Sequence, residues 1–222
     1  MKINDYFDGV YCINLPSRAD RRKHAEEQFN KHGLNVRFCD GIPGDSFRDI
    51  RGGDTDYDRG FRGNMGCTAS HRAILDMIAR EGCHRGLVFE DDVEFVTDDL
   101  QRDFAAWISE VPQDWQMLYL GGSFQEDPLY RVSAHVVRTR DMMTTSSYAV
   151  TGAAAKHIAP HVCGVGPIDS IYQQFNRELP TYIFTPRLAV QYENMSDIQS
   201  RVMNNSMSML DAGHLNRLDK KT

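Results

Sequence analysis

The sequence predicts a single α/β domain built on a mainly parallel, doubly wound sheet with helices on both faces. Three observations support this fold class. Short apolar segments that suit buried strands alternate with longer segments that have the apolar spacing of helices. The chain has 222 residues, enough to bury one full core. It contains neither internal repeats nor low-complexity tracts, which argues against a repeat architecture.

The first half of the chain predicts five segments: a strand, a charged helix, a second strand, a loop and a longer helix, at residues 9–15, 19–33, 35–42, 43–64 and 65–82. The loop is rich in Gly, Asp and Arg and poor in aliphatic residues, and a loop of this length is usually functional or mobile. In the longer helix, Ile74, Leu75 and Ile78 form the apolar face, and Gly82 ends it.

The second half continues the alternation. We expect strands at residues 86–89, 115–122, 135–139, 146–151, 181–186 and 188–193, and helices near residues 98–110, 152–162 and 169–179. The polar stretch after Met195 interrupts this pattern. We therefore divide the chain into a main domain, residues 1–195, and a C-terminal polar segment, residues 196–222, that either caps the domain or is mobile.

Composition narrows the function classes. The net charge is −6, from 25 basic and 31 acidic residues, which gives no general footprint for nucleic-acid binding but leaves a local basic patch open. No apolar run reaches the length of a membrane span, and "MKINDYFDGV" lacks the apolar core of a signal peptide. Five cysteines without framework spacing suggest a reducing compartment. We expect a cytoplasmic protein without a transmembrane segment.

The stretch "GLVFEDDVEF" (86–95) places three carboxylates at the end of a predicted strand. In an open α/β sheet, ligands bind beyond the carboxyl ends of the strands. Because alternate residues of an extended chain face the same side, Glu90 and Asp92 would converge while Asp91 faces away. Two converging carboxylates suit a hard divalent cation, Mn²⁺ or Mg²⁺, which also binds phosphates. A solvated acidic turn is the alternative interpretation.

A second acidic stretch, "DTDYDRGFRGNM", places Asp54, Asp56 and Asp58 at alternate positions, as in the opening of a calcium-binding loop. The rest of that motif is missing. Arg59 stands where the loop needs a glycine, and Met65 stands where it needs a bidentate glutamate. We therefore interpret this stretch as a solvated, mobile loop that closes over substrate.

Cysteine and histidine also occur near each other. Cys67 and His71 are one helical turn apart, and Cys83 and His84 follow. The second pair is adjacent, which matches no usual zinc-ligand spacing. Core cysteines and a helix-surface histidine are the favoured interpretation, with zinc as the alternative.

Several segments in this order resemble glycosyltransferase family 25, which contains bacterial lipopolysaccharide galactosyl- and glucosyltransferases and the collagen galactosyltransferases. "VYCINLPSRADRR" is similar to the family's opening strand and loop, "GCTASH" to its Gly-Cys-x-x-Ser-His segment, and "LVFEDDVEF" to its acidic strand end. Comparable pieces follow in "WQMLYLGG", "SSYAVTGAAAKHI", "GPID" and "VQYENMSDIQS". Pro16 replaces a polar residue of the family pattern, and the loop at 52–62 is unlike it.

The resemblance implies a single-domain, Rossmann-like nucleotide-sugar transferase fold of the GT-A type, with a mainly parallel mixed sheet flanked by helices. It implies a nucleotide-sugar donor, a divalent metal at the acidic motif, and inversion at the anomeric carbon. On this basis Glu90 and Asp92 would hold Mn²⁺ (or Mg²⁺) on the diphosphate. The residues expected to bind the nucleotide sugar are Asn14, Leu15, Arg21, Ser70, His71, Asp91 and Gln191.

Three candidate site residues, Arg21, His71 and Asp169, have ordinary structural alternatives. Arg21 also suits a solvated helix face, and His71 an ordinary surface position. Ser70 and His71 are expected near the start of their helix, where free backbone N–H groups favour anions. Single displacement needs a general base, and Asp169 in "GPIDSIYQQF" matches a family aspartate; its alternative role is that of a helix N-cap.

The sequence thus predicts a metal-dependent inverting glycosyltransferase that moves a hexose, galactose or glucose, from a UDP-sugar to a hydroxyl of an oligosaccharide or lipopolysaccharide-type acceptor. Two alternatives stay open. In the first alternative, the donor chemistry is the same but the acceptor is a modified nucleobase in DNA or a protein hydroxyl such as hydroxylysine. A nucleobase acceptor needs a basic groove, and the local basic cluster is Arg48, Arg51, Arg59 and Arg62. In the second alternative, the chain is a non-catalytic sugar-nucleotide-binding module.

Overall fold

The fold was obtained as a computed structural model that describes residues 1–163 and 166–192, together with the backbone of two short strands at 194–196 and 201–203. The other residues of the predicted C-terminal segment, 197–200 and 204–222, lie outside the described part, as do 164, 165 and 193. The division at residue 195 therefore stays a prediction.

The described chain alternates helices and strands. The helices are α1 (Ile3–Tyr6), α2 (Ala19–Lys31), α3 (Asp56–Arg80), α4 (Leu100–Trp107), α5 (Gly152–Ile158) and α6 (Ile168–Glu178). The strands are β1 (Gly9–Asn14), β2 (Arg37–Asp40), β3 (Arg85–Glu90), β4 (Val93–Phe95), β5 (Met117–Tyr119), β6 (Ser123–Phe124), β7 (Tyr130–Arg131), β8 (Val136–Thr139), β9 (Met142–Met143), β10 (Ser147–Thr151), β11 (Thr181–Phe184), β12 (Ala189–Gln191), β13 (Asn194–Ser196) and β14 (Arg201–Met203).

One central sheet organises the molecule, with strand order β2-β1-β3-β10-β5-β11-β8-β7. Strand β1 pairs in parallel with β2 and β3, and β5 pairs in parallel with β11. Strand β10 enters between β3 and β5 antiparallel to both, and β8 runs antiparallel to β11 and β7. The result is the predicted single α/β domain with a mixed sheet between helices; beyond β3 in this sheet, the β5–β11 pair is parallel and the other pairs are antiparallel.

Apolar side chains cover both faces of this sheet. Strand β3 illustrates the cause: Leu87 and Phe89 point to one face, and Val88 points to the other, because successive side chains of a strand alternate. The first face packs against α1, α2 and α4, through residues such as Phe29 and Phe104. The second face packs against α3, α5 and α6. Strands buried on both faces read as continuous apolar runs, which is why the sequence revealed them.

The prediction of an uninterrupted loop over residues 43–64 was wrong. Helix α3 begins at Asp56, nine residues before the predicted start at Met65. The loop is therefore limited to residues 43–55, and it contains one short 3₁₀ turn at Gly44–Phe47. The physical cause is a capping box. The backbone N–H of Asp58 donates to the Thr55 hydroxyl at 3.1 Å, and the backbone N–H of Thr55 donates to the Asp58 carboxylate at 3.3 Å.

Candidate active site

A cleft of about 640 Å³ opens beyond the carboxyl ends of β1 and β3. The parallel register pairs Ile13 with Glu90, so the residues that follow each strand emerge side by side. This is the position at which an open α/β sheet binds ligands. The lining includes the following predicted site residues: Leu15, Arg21, Ser70, His71, Glu90, Asp91, Asp92, Asp169 and Gln191. Asn14 is buried behind Asp91.

Arg21 is the counter-ion of two adjacent carboxylates. Its Nη1 donates to Asp91 Oδ1 at 2.9 Å, and its Nη2 donates to Asp92 Oδ2 at 2.8 Å. Asn14 Nδ2 donates to the other oxygen of Asp91 at 2.7 Å. The side chains of Asp91 and Asp92 are only 5% and 8% exposed, and that of Arg21 is 12% exposed. Arg21 is therefore a buried structural cation of the acidic motif rather than a solvated helix residue.

Glu90 has a different set of partners. The Thr145 hydroxyl donates to Glu90 Oε1 at 2.6 Å, and His71 Nε2 lies 3.2 Å from the same oxygen. The other ring nitrogen of His71 lies 3.0 Å from the Tyr148 hydroxyl, which lies 2.9 Å from the Tyr172 hydroxyl. Burial raises the pKa of Glu90, but the contacts with His71 and Thr145 outweigh it, and the net shift is downward. Glu90 is thus held as a carboxylate.

The expectation that His71 lies on the helix surface was wrong, and so was the expectation that it lies near the start of its helix. His71 is 1% exposed, and it stands in the interior of α3, fifteen residues after Asp56. Its backbone N–H and that of Ser70 are consequently not the free donors of a helix N-terminus. The longer α3 described above is the reason for both corrections.

Ser70 and Gly66 attach the cleft wall to α3. The Ser70 hydroxyl accepts from the backbone N–H of Ile42 at 2.8 Å and donates to the Gly66 carbonyl at 2.7 Å. A Cβ atom on Gly66 would lie 2.4 Å from the Ile42 carbonyl oxygen, so only glycine allows this approach. Two residues of the "GCTASH" segment therefore fix the chain at Ile42, and the Ser70 hydroxyl is already used in that role.

Gln191 brings together the two carboxylates predicted to hold a metal. Its Nε2 lies 3.5 Å from Glu90 Oε2 and 3.5 Å from Asp92 Oδ1. Strand β12 places it there because Gln191 pairs with Val93 in the antiparallel β4–β12 ladder. Both carboxylates therefore face the same amide nitrogen of Gln191. Hard carboxylate oxygens in this arrangement suit Mn²⁺ or Mg²⁺.

Asp169 lies across the cleft, in the first turn of α6. The N-cap of α6 is Pro167, so Asp169 is not the N-cap that formed its alternative interpretation. Its Oδ1 accepts from the backbone N–H of Ser170 at 2.9 Å, and it is half-buried. Burial raises its pKa, and the negative charge of Glu90 adds to the effect. A carboxylate with a raised pKa is better matched to proton transfer near neutral pH.

The basic cluster considered for nucleic-acid binding is paired with carboxylates. Arg48 contacts Asp45 and Asp54, and Arg62 lies near the same two carboxylates. Arg51 pairs with Asp58 and Arg59 with Asp56. Because every arginine of the cluster faces an aspartate, the cluster supplies little net positive charge, and a nucleic-acid acceptor gains no support from it.

Sequence reasoning missed three polar residues that organise the site: Thr145, Tyr148 and Tyr172. They come from the turn before β10, from β10 and from α6. The sequence carried one weak signal, since Tyr148 stands in "SSYAVT", a segment whose other residues are small or apolar. Their partners are 77 and 24 positions away along the chain, and such contacts become visible only in the fold.

The fold is an α/β domain with an acidic cleft at its strand ends, and comparison with known proteins shows the family. The model of glycosyltransferase family 25 (LPS biosynthesis protein) matches residues 7–171. The chain belongs to this family. Its mixed sheet with flanking helices has the predicted GT-A-like architecture.

Curated relatives carry related names. A probable inactive glycosyltransferase 25 family member 3 from Bos taurus is 25% identical over 206 residues, covering 85% of this chain and 33% of the relative. Procollagen galactosyltransferase 1-A from Xenopus laevis is 27% identical over 129 residues, covering 52% of this chain and 21% of the relative. The chain therefore spans a third or less of the length of these relatives.

Solved structures show weaker likeness. Apo UDP-glucose pyrophosphorylase is 12% identical, with a TM-score of 0.48, over 96% of this chain and 99% of that one. A glycosyltransferase involved in glycosylation of the major capsid of PBCV-1 is 12% identical, with a TM-score of 0.37, over 80% and 92%. Among residues 1–163 and 166–192, none of the helices combines the length and apolarity needed to cross a bilayer.

Proposed function

We propose that the chain is a metal-dependent inverting glycosyltransferase. It would move a hexose, galactose or glucose, from a UDP-sugar to a hydroxyl of an oligosaccharide or lipopolysaccharide-type acceptor. The observation that carries this proposal is that Glu90 Oε2 and Asp92 Oδ1 each lie 3.5 Å from the same Gln191 Nε2 at the strand ends, in a cleft large enough for a nucleotide sugar. Membership of family 25 supports it independently.

In this proposal Glu90 and Asp92 hold Mn²⁺ or Mg²⁺. The cation would neutralise the diphosphate leaving group as the glycosidic bond to it breaks. Asp91 is fixed by Asn14 and Arg21, and it would accept a hydrogen bond from a ribose or sugar hydroxyl. The pKa of Asp91 is raised by burial more than Arg21 and Asn14 lower it, so this carboxyl is suited to hydrogen bonding rather than to metal ligation.

Asp169 is the proposed general base. It lines the cleft from α6, whereas Glu90 and Asp92 line it from the end of β3 and the turn after it. Inversion by single displacement requires attack from the face opposite the leaving group, and the acceptor hydroxyl gives up its proton during that attack. The raised pKa of Asp169 helps it take that proton at neutral pH.

The five free thiols of the described chain fit a reducing, cytoplasmic setting. Lipopolysaccharide biosynthesis is the context that the family description suggests for the acceptor. Procollagen galactosyltransferases among the relatives keep a protein hydroxyl as the alternative acceptor.

A second candidate function is supported by two observations. Several relatives are named inactive glycosyltransferases, and in this chain Arg21 already pairs with both aspartates of the acidic motif. A binding module for sugar nucleotides would keep the cleft and lack turnover. Calorimetry with nucleoside diphosphates, with and without Mn²⁺, followed by product analysis with hydroxyl acceptors, separates the two functions.

The direct test is a donor screen by mass spectrometry in the presence of Mn²⁺, with Asp92→Asn as the variant. We expect the variant to lose at least tenfold in transfer and in Mn²⁺ affinity, because one of two converging carboxylate ligands becomes a neutral amide. Asp103→Asn is a suitable control, since Asp103 is paired with Arg102 on α4, away from the cleft. Transfer by Asp92→Asn at the parent's rate would refute the metal assignment.

Asp169→Ala tests the base. We expect transfer to fall by about 10²–10⁴-fold, the usual contribution of general base catalysis, while the affinity for the donor changes little. A change confined to the melting temperature would instead show that Asp169 only stabilises the first turn of α6.

A further inference from the structure

A second group of potential metal ligands lies on the wall of the same cleft, and it uses residues from α3. Cys67, His71 and Glu90 each direct one ligand atom to a common region, and these three atoms lie within 4.8 Å of one another. Cys67 and His71 are one helical turn apart on α3, so they project from the same face of the helix. Glu90 reaches them from the end of β3.

We propose that Cys67, His71 and Glu90 form a binding site for a borderline-soft divalent cation, of which Zn²⁺ is the best match. A thiolate, an imidazole and a carboxylate are all established zinc ligands, and three protein ligands with one open position are the pattern of non-structural zinc sites. Tetrahedral zinc with ordinary bond lengths needs ligand atoms about 3.3–3.7 Å apart. His71 Nε2 and Glu90 Oε1 are already 3.2 Å apart, and the Cys67 thiol lies within 4.8 Å of the other two ligand atoms.

The histidine is held as a metal ligand requires. A ligating histidine generally gives its second ring N–H to a fixed acceptor. His71 Nδ1 lies 3.0 Å from the buried Tyr148 hydroxyl, and Tyr172 anchors that hydroxyl in turn. In the metal-free tautomer, Nε2–H donates to Glu90 and Tyr148 donates to Nδ1. In the metal-bound tautomer, Nδ1–H donates to Tyr148, which turns its own proton toward Tyr172.

The site is distinct from the one proposed for Mn²⁺. Glu90 Oε1 faces His71 and Thr145, whereas Oε2 faces Gln191 and Asp92. Arg21 lies on the side of the aspartates. A thiolate favours Zn²⁺ over the hard cations, and an all-oxygen site does the reverse. The two oxygens of Glu90 therefore separate a soft site from a hard one, and the open position of the soft site faces the cleft.

Cobalt substitution tests the proposal without any assay of transfer. The parent protein is treated with a chelator, titrated with Co²⁺, and followed by absorption in the near-ultraviolet and visible range. We expect one equivalent of Co²⁺ to produce a sulfur-to-cobalt charge-transfer band together with the intense visible bands of tetrahedral cobalt, and Zn²⁺ to displace it. We also expect Zn²⁺ to raise the melting temperature. Absence of the charge-transfer band in the folded parent would overturn the proposal.

Cys67→Ser is expected to abolish the band and the thermal shift, and Cys67→Ala serves in its place if the serine variant fails to fold. The matched control is Cys163→Ser, which removes an exposed thiol outside the trio and should leave both signals intact. Asp92→Asn should weaken Mn²⁺ binding while the cobalt–thiolate band persists. A band that survives in Cys67→Ser, or one that is lost in Asp92→Asn, would overturn a separate site at Cys67.

Discussion

Arg21 offers the sharpest test of how the acidic motif is held together. Replacing Arg21 with Ala leaves Asp91 and Asp92 adjacent, almost fully buried and without their shared cation. Removal of one partner from a buried ion pair costs about 3–5 kcal/mol, because the remaining charge keeps its desolvation penalty. For a domain of this size, 1 kcal/mol corresponds to about 2–4 °C in Tm. We therefore expect Tm to fall by about 10 °C at neutral pH.

The same variant should respond strongly to Mn²⁺. Without the guanidinium, the acidic motif carries one more uncompensated negative charge, so Mn²⁺ should raise the Tm of Arg21→Ala by more than it raises that of the parent. Arg21→Lys should lie between the two, because an ammonium group is a point charge that cannot bind both carboxylates in the planar geometry of arginine.

The assay is thermal and urea unfolding with and without Mn²⁺, read by circular dichroism. Lys23→Ala is the control, since Lys23 makes only an exposed pair with Glu27 on the same helix, and such pairs contribute about 0–1 kcal/mol. The explanation fails if Arg21→Ala melts within about 2 °C of Lys23→Ala and gains nothing from Mn²⁺.

Two predictions concern α3. Gly66→Ala should lower the free energy of unfolding: the helix gains about 1 kcal/mol in propensity, but a Cβ atom 2.4 Å from the Ile42 carbonyl forces a shift that costs about 1–3 kcal/mol. Ala69→Gly measures the propensity component alone, and a more stable Gly66→Ala would contradict the close approach. Asp58, through its hydrogen bond from Thr55, has its pKa lowered from 3.8 to about 2, so its stabilisation is present above about pH 4 and is lost as the pH falls toward 2. As the pH is lowered over that range, the Tm of Asp58→Asn should therefore fall less steeply than the Tm of the parent. Equal slopes of Tm against pH in the two proteins would refute the capping role.

The pattern of apolar residues in the sequence was sufficient to predict most of the helices and strands. Strands buried on both faces appear as continuous apolar runs, and the order of helices and strands follows from their alternation. The start of α3 could not be found by that signal, because residues 56–64 contain few aliphatic side chains. The capping pair Thr55 and Asp58 was the available signal, and it was hidden by the resemblance of the same aspartates to a calcium-binding loop.

The candidate site was only partly accessible from the sequence, for a reason of geometry. The acidic triplet is local, so its position at a strand end was readable. Arg21 lies 70 and 71 positions before Asp91 and Asp92, and its contact with them depends on the parallel register of β1 and β3. Glu90, which lies with Cys67 and His71 in the proposed zinc site, likewise comes from another element, so the spacing of Cys67 and His71 alone could not reveal the group.

The crowding of Glu90, Asp91 and Asp92 does not by itself require a metal. Arg21 forms ion pairs with the two aspartates, while His71 and Thr145 contact the glutamate. Three ionised carboxylates and one guanidinium nevertheless leave two negative charges, which is the charge that one divalent cation neutralises. The electrostatic argument therefore predicts opposite effects at neighbouring positions: Mn²⁺ affinity should rise when Arg21 is removed and fall when Asp92 is neutralised. Changes of the same sign in both variants would mean that the cation, if it binds, binds elsewhere.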